Sequence, residues 1–169
     1  MSHRDPLANP EPLIRRVYSY VAYRIGDGPD AEDITSETFE RAFRRKATFD
    51  PARGTPIAWL LGIARNCISD MAFAGDIPVA SVPDTPDPTE LEEGAVRRVT
   101  LTAALAQLDP HDQELIALRY GADLTARRIG EILGMSTNAA EVALHRALGR
   151  LRVLLSATEL PVRHIQRDT

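Results

Sequence analysis

Cysteine is almost absent from this 169-residue chain: Cys67 stands alone, which excludes an internal disulfide and a zinc site built on several thiolates. Within a helical pattern such a thiol reads as a small buried hydrophobe. Aromatic residues are scarce too, at 5% against 44% apolar overall, so Leu, Ile, Val and Ala must fill the core. No apolar run approaches the roughly 20 residues that a membrane-spanning helix needs, the stretch Ile57 to Ala64 being among the longest. The opening MSHRDPLANPEP lacks the apolar segment of a secretory leader, so the expected compartment is the cytoplasm, with no membrane insertion. The four histidines, at positions 3, 111, 145 and 164, share no ligand spacing of the HExxH kind, and no metal or other cofactor is expected. Asp30, Glu32, Asp33 and Glu37 are an acidic group, but Asp33 and Glu37 lie one turn apart on an exposed face without a histidine or a matching carboxylate motif. The chain is therefore not expected to be an enzyme.

Basic residues are missing from the middle. Met1 to Asp76 carries 10 basic and 11 acidic residues, Ile77 to Val96 carries none and 5, and Arg97 to Thr169 carries 10 and 8. The net charge of −4 argues against unaided DNA binding, because nonspecific affinity comes largely from Lys and Arg neutralising phosphates. The acidic middle also holds the prolines: Asp76 to Pro88 has four of them and three aspartates, and little to bury. It reads as a flexible tether between two small domains.

What remains is helical. Leu13, Val17, Val21 and Ile25 recur at i, i+4 and mark one apolar face, which Gly26-Asp27-Gly28-Pro29 ends. Ala31, Ile34, Thr38, Phe39, Ala42 and Phe43 mark a second, with acids early and bases late as the helix dipole prefers. ATFDPARGTP reads as a loop, and Thr55-Pro56 as the cap and first turn of a third helix, IAWLLGIARNCISDMA. After the tether, Thr89 and Glu92 match a capping box for a fourth helix. Asp109-Pro110 opens a fifth, HDQELIALRY, which Gly121 ends. Thr125 caps ARRIGEIL, Gly134 closes it, and Ser136 caps a long last helix. A short helix, a glycine turn and a longer helix are the sequence form of a helix-turn-helix. No strand alternation or repeat accompanies them. The expected fold class is all-α: two small helical domains, a three-helix module over residues 1–75 and a helix-turn-helix module over 91–160, joined by a flexible acidic linker at 76–90 and followed by a tail at 161–169.

DAEDITSETFERAFRR, a loop, and then AWLLGIARNCISD resemble the region that bacterial RNA polymerase sigma factors use to bind polymerase and the −10 promoter element. After the tether, LDPHDQELIALRY and the helix-turn-helix ending in LHRALGRLR resemble the region that binds the −35 element. The chain is thus similar to sigma factors of the extracytoplasmic-function (ECF) type of the sigma-70 family. The resemblance implies a protein that binds core RNA polymerase and directs promoter recognition, DNA melting and initiation. Its implied contacts with the clamp helices of the largest polymerase subunit are Asp33, Glu37, Phe39, Glu40 and Arg41, a charged face suited to docking on a basic coiled coil. Capture of a flipped base from the melted −10 strand falls to Phe49, Asp50, Arg53, Arg65 and Asn66. Trp59 lies within an apolar run and is assigned to the core. The −35 element is met by Arg127, Arg128, Thr137, Asn138, Glu141, Val142, His145 and Arg146, with Arg150 further along. The polymerase flap and promoter DNA are the other implied partners, and an anti-sigma factor that clamps the two modules is a further one known among relatives.

Two positions depart from that pattern. Glu141 and Ala143 stand where relatives commonly have Lys and Arg. Glutamate cannot neutralise a phosphate, although it can accept a hydrogen bond from the cytosine amino group. After Asp70 the third helix runs into Met71-Ala72-Phe73-Ala74-Gly75 rather than into arginines. The alternatives are a helix-turn-helix regulator that does not direct polymerase, and a sigma-like polymerase-binding protein with weakened promoter recognition.

Overall fold

Proline sets the helix starts. Pro10, Pro29, Pro56 and Pro110 each occupy a first helical position, where the missing N–H costs nothing and the fixed φ suits the helix. In the computed structural model, which describes residues 5–75 and 93–158, they open α1 (Pro10–Ile25), α2 (Pro29–Arg45), α3 (Pro56–Phe73) and α5 (Pro110–Ile116). The others are α4 (Glu93–Ala106), α6 (Ala126–Leu133) and α7 (Thr137–Thr158). The expected tether at 76–90, the Thr89–Glu92 capping box and the tail at 161–169 lie outside the described residues.

The side-chain caps form where the sequence placed them. Thr55 Oγ1 accepts from the N–H of Ala58 at 3.4 Å, Asp109 Oδ1 from Asp112 at 2.9 Å, Thr125 Oγ1 from Arg128 at 3.4 Å and Ser136 Oγ from Ala139 at 3.1 Å. Each satisfies a first-turn donor that has no partner within its helix. Gly134 ends α6 in the left-handed region, at φ 70° and ψ 34°, as a C-terminal glycine should.

The fifth helix does not run straight to Gly121. Beyond Ile116 the chain widens into a π turn, Ala117–Gly121, in which the N–H of Ala122 reaches back to the carbonyl of Ala117 at 2.9 Å. Asp123 follows with φ 53°. This widened end is seated on α1, and Gly121 is the point of closest approach. A Cβ there would lie 2.7 Å from Tyr20 Cα and 2.9 Å from the Ser19 carbonyl oxygen.

The two halves therefore share one interior. α1, α2 and α3 pack on one another through Val17, Val21, Ala31, Ile34, Leu60, Leu61, Ala64 and Ile68. α4 to α7 do the same through Leu105, Leu108, Leu115, Ile116, Leu118, Ile129, Ala147 and Leu151, and the buried residues of both join in a single cluster. α1 is the common element, touching α2 and α3 on one side and α4, α5 and the π turn on the other. Buried hydroxyls in α2 are satisfied locally, since Thr35 and Thr38 donate to the carbonyls of Ala31 and Ile34, each at 2.7 Å. Among the described residues no helix is long and apolar enough to cross a membrane.

Candidate functional site

The outer face of α2 is acidic, but part of its charge is already matched. Asp33 and Glu40 are exposed, Glu37, Phe39 and Arg41 half-buried. Arg41 Nε donates to Glu37 Oε1 at 2.6 Å and Nη1 to Asp70 Oδ2 at 2.7 Å, tying α2 to α3. The hydrogen bond to Asp70 and then that to Glu37 push the Arg41 guanidinium further above its ordinary range. Glu40 pairs with Arg44 one turn on. Phe43, which the apolar pattern assigns to the buried side, is 65% exposed, with Lys46 Nζ 4.9 Å above its ring. The five residues expected to meet polymerase thus share one helix, beside an exposed aromatic that the pattern misplaced.

The loop ahead of α3 is built on Asp50. Its carboxylate accepts from the N–H of Ala52 at 2.9 Å, and its carbonyl from the N–H of Arg53 at 3.0 Å. Asp50, Arg53 and Asn66 are exposed. Phe49 is only 7% exposed, its ring tilted against Trp59 with centroids 5.4 Å apart, so this pair shapes the loop from within. Arg65 points toward the other half of the molecule, where its Nε lies 3.2 Å from Glu114 Oε1.

On α7, Asn138, Glu141, Val142 and His145 fall at i, i+3, i+4 and i+7, and all are exposed together with Thr137 and Arg146. They form one exposed face of α7. Arg127 and Arg128 are exposed on α6, and both bond to Glu131, Arg127 Nε at 3.2 Å and Arg128 Nη1 at 2.7 Å. The hydrogen bond from Arg128, helped by that from Arg127, outweighs desolvation and lowers the Glu131 carboxyl below its ordinary value. Arg150, one of the arginines suited to phosphate, instead grips Asp112 with both Nε and Nη2, the latter at 2.7 Å. It fastens α7 to α5.

Sequence reasoning missed the centre of the molecule. Glu114, its side chain 6% exposed, receives the Tyr20 hydroxyl at 3.0 and 2.9 Å on its two oxygens and pairs with Arg24 and Arg65. Burial pushes the Tyr20 phenol up to about 12 and, as the largest cause, lowers the Arg24 guanidinium. Arg24 Nε is buried without a hydrogen-bond partner. Beside this cluster Arg16 donates from Nε to the carbonyl of Ala122 at 2.7 Å and from Nη2 to that of Asp123 at 3.2 Å. A carboxylate amid Leu115, Ile116 and Leu118, and an arginine at i+4 from a tyrosine on the apolar face of α1, were the available signals.

Two family patterns match in order: Sigma-70 region 2 over residues 11–74 and Sigma-70, region 4 over residues 104–153. The chain is 33% identical over 149 residues to the ECF RNA polymerase sigma factor BldN of Streptomyces coelicolor, covering 82% of this chain but 56% of BldN. It is 32% identical over 160 residues to the RNA polymerase sigma factor CarQ of Myxococcus xanthus, covering 87% of each. The fold is similar to that of the sigma factor RpoE from Bartonella quintana, solved with the anti-sigma factor NepR, at a TM-score of 0.65 and 20% identity over 85% of this chain and 92% of RpoE. It is also similar to CnrH, solved with the cytosolic domain of CnrY, at a TM-score of 0.60 and 24% identity over 87% of this chain and 82% of that one. With regions 2 and 4 in order and CarQ matched along most of its length, the chain belongs to the sigma-70 family, in its extracytoplasmic-function branch.

Proposed function

We propose that this chain is a sigma factor that binds core RNA polymerase, recognises a promoter and directs its melting and the start of transcription. The observation that carries the reading is the ordered pair of region 2 and region 4, each on its own set of helices. In this reading residues 1–75 dock on the clamp helices of polymerase through Asp33, Glu37, Phe39, Glu40 and Arg41. Asp50, Arg53, Arg65 and Asn66 hold the melted −10 strand over the Phe49–Trp59 packing. Residues 91–160 lay the Thr137 to Arg146 stripe of α7 in the major groove at −35. Residues 76–90 are the tether and 161–169 the tail. The role is non-catalytic. An anti-sigma protein is the partner class that RpoE, solved with NepR, suggests.

Run-off transcription with purified core polymerase on fragmented genomic DNA tests this. Discrete promoter-dependent products are expected, and none with any fragment would sink the assignment. A second reading, polymerase binding with weak −35 recognition, is favoured by Glu141 on the recognition stripe and by the capture of Arg127 and Arg128 by Glu131. Footprinting of the holoenzyme separates the two: protection at −10 without protection at −35 is its signature.

A further inference from the structure

The helix that presents the −35 stripe is fixed by modest apolar packing. Of the 22 residues of α7 only Ala140, Ala147 and Leu151 are buried, while Leu144, Leu148, Leu154 and Leu155 rest half-buried against the core. Alanines make shallow ridges, which resist tilting and turning of a helix on its neighbours poorly. The head of α7 is tied at one point, where Ser136 caps it and the N–H of Met135 bonds back to Gly130. The directional restraint lies further along. Arg150 donates from Nε and Nη2 to the two carboxylate oxygens of Asp112 on α5, a planar fork that lysine cannot make. We infer that Arg150 and Asp112 are a positioning pair for −35 recognition: they fix the angle at which α7 offers Asn138, Glu141 and His145, and Arg150 holds no phosphate. The consequence for the promoter rests on the proposed function; the positioning itself does not.

Asp112 is a firm anchor. Its side chain is 2% exposed, its N–H is held by the Asp109 cap, and Glu114, Leu115 and Ile116 of the same short helix are buried as well. It stands in the first turn of α5, where the helix dipole favours a carboxylate. A buried carboxylate needs a charged or hydrogen-bonding partner, and Arg150 reaches in from the surface to supply one.

Phase and leverage give the pair its role. At about 100° per residue, Arg150 points roughly 120–180° away from Asn138, Glu141 and His145, so the fork grips the back of the face that α7 turns outward. Asn138 lies about 18 Å along the helix from Arg150 at ~1.5 Å per residue, and a tilt of roughly 10° about the fork carries it about 3 Å. Contacts to base edges are lost over less than that.

Two measurements on the full chain test the pair. Spin labels on His111→Cys and Asn138→Cys, both exposed, in a Cys67→Ala background read the distance from α5 to the head of α7. The otherwise native chain is expected to give one narrow distance, and Arg150→Lys and Asp112→Asn each to spread it by about 3 Å while keeping native helix content. Holoenzyme affinity is then compared for a promoter fragment recovered by run-off transcription and for the same fragment with its −35 element scrambled. Each variant should lower the ratio of the two affinities about tenfold, one base contact's share of discrimination, with affinity for the scrambled fragment and protection at −10 retained. Simple loss of folded chain lowers both affinities together and leaves the ratio unchanged, whereas a phosphate contact by Arg150 makes Asp112→Asn bind both fragments more tightly. Either pattern would overturn the positioning pair, as would an unspread distance in both variants. A spread distance with no promoter-dependent product from native holoenzyme would overturn the sigma reading and leave the positioning standing.

Discussion

Gly130→Ala should destabilise the helix-turn-helix although it replaces glycine by a better helix former. After the left-handed turn at Gly134 the chain crosses back over α6, and the N–H of Met135 bonds to the carbonyl of Gly130 at 2.9 Å. A Cβ on Gly130 would lie 2.6 Å from the Met135 carbonyl oxygen and 3.3 Å from both C and O of Ser136. The nearest atoms are backbone, so the turn itself must retreat by several tenths of an ångström, carrying the cap of α7 with it. Overpacking of this kind costs about 1–3 kcal/mol, against a helix-propensity gain of about 0.5–1 kcal/mol. The net loss is about 1–2 kcal/mol, or a fall of roughly 2–8 °C in melting temperature at the sensitivity usual for a chain of this size. Gly62→Ala is the control, because nothing lies within 4 Å of its added Cβ in the middle of α3. It should raise stability by about 0.5–1 kcal/mol. Circular dichroism melts of the two variants decide the matter: a Gly130→Ala protein as stable as the parent, or a shift of the same sign in both, would refute the steric reasoning.

Arg150→Met should lower the urea midpoint more than Asp112→Asn does, since the first strands a carboxylate that is 2% exposed while the second leaves an arginine that is 53% exposed and free to find water. Equal midpoints would refute that asymmetry. Alkaline titration followed by phenolate absorbance should show a late step near pH 12 from Tyr20, absent in Tyr20→Phe. Burial holds this phenol neutral, so its folded pKa lies above the unfolded value of about 10. Its contribution to stability is intact below about pH 10 and is lost as the pH climbs toward 12. A step that persists in Tyr20→Phe would reassign the shift. Promoters selected from a randomised −35 library should be enriched in cytosine at one position, and Glu141→Gln should weaken that preference by about 1–3 kcal/mol. An unchanged selection profile would remove Glu141 from base contact.

Local structure was legible in the sequence because it is written locally. Thr55-Pro56, Asp109-Pro110, Thr125, Gly134 and Ser136 act on atoms three or four residues away, and each holds the end it marked. The α7 stripe came instead from the family resemblance, and its i, i+3, i+4 spacing is why its members share one exposed face. The assembly of the halves was not. Period alone says that α1 has an apolar face, but α1 buries surface on two sides, and nothing in Leu13, Val17 and Val21 tells which residues of the second half it meets. Phe43 failed for the converse reason: it sits at the edge of the apolar face of α2, where helical phase leaves burial to the neighbour, and Lys46 over its ring leaves it largely exposed. Glu114 and Arg24 are the plainest case, charged residues whose place inside depends on partners more than forty positions away.

If α6 meets DNA as proposed, Glu131 governs how binding at −35 responds to salt. Two arginines on α6 would ordinarily count as two displaced counterions, each adding about 0.9 to the slope of log affinity against log salt. Here the carboxylate already stands where a phosphate would, so a contact made by Arg127 or Arg128 exchanges one anion for another and releases fewer ions from the DNA–protein pair. The helix is in effect pre-neutralised, and under the proposed −35 role its grip on DNA is expected to be softer at low ionic strength and less easily lost at high. A chain of net charge −4 with such a surface meets promoters with little long-range pull of its own, and leaves the capture of DNA to whatever carries it there.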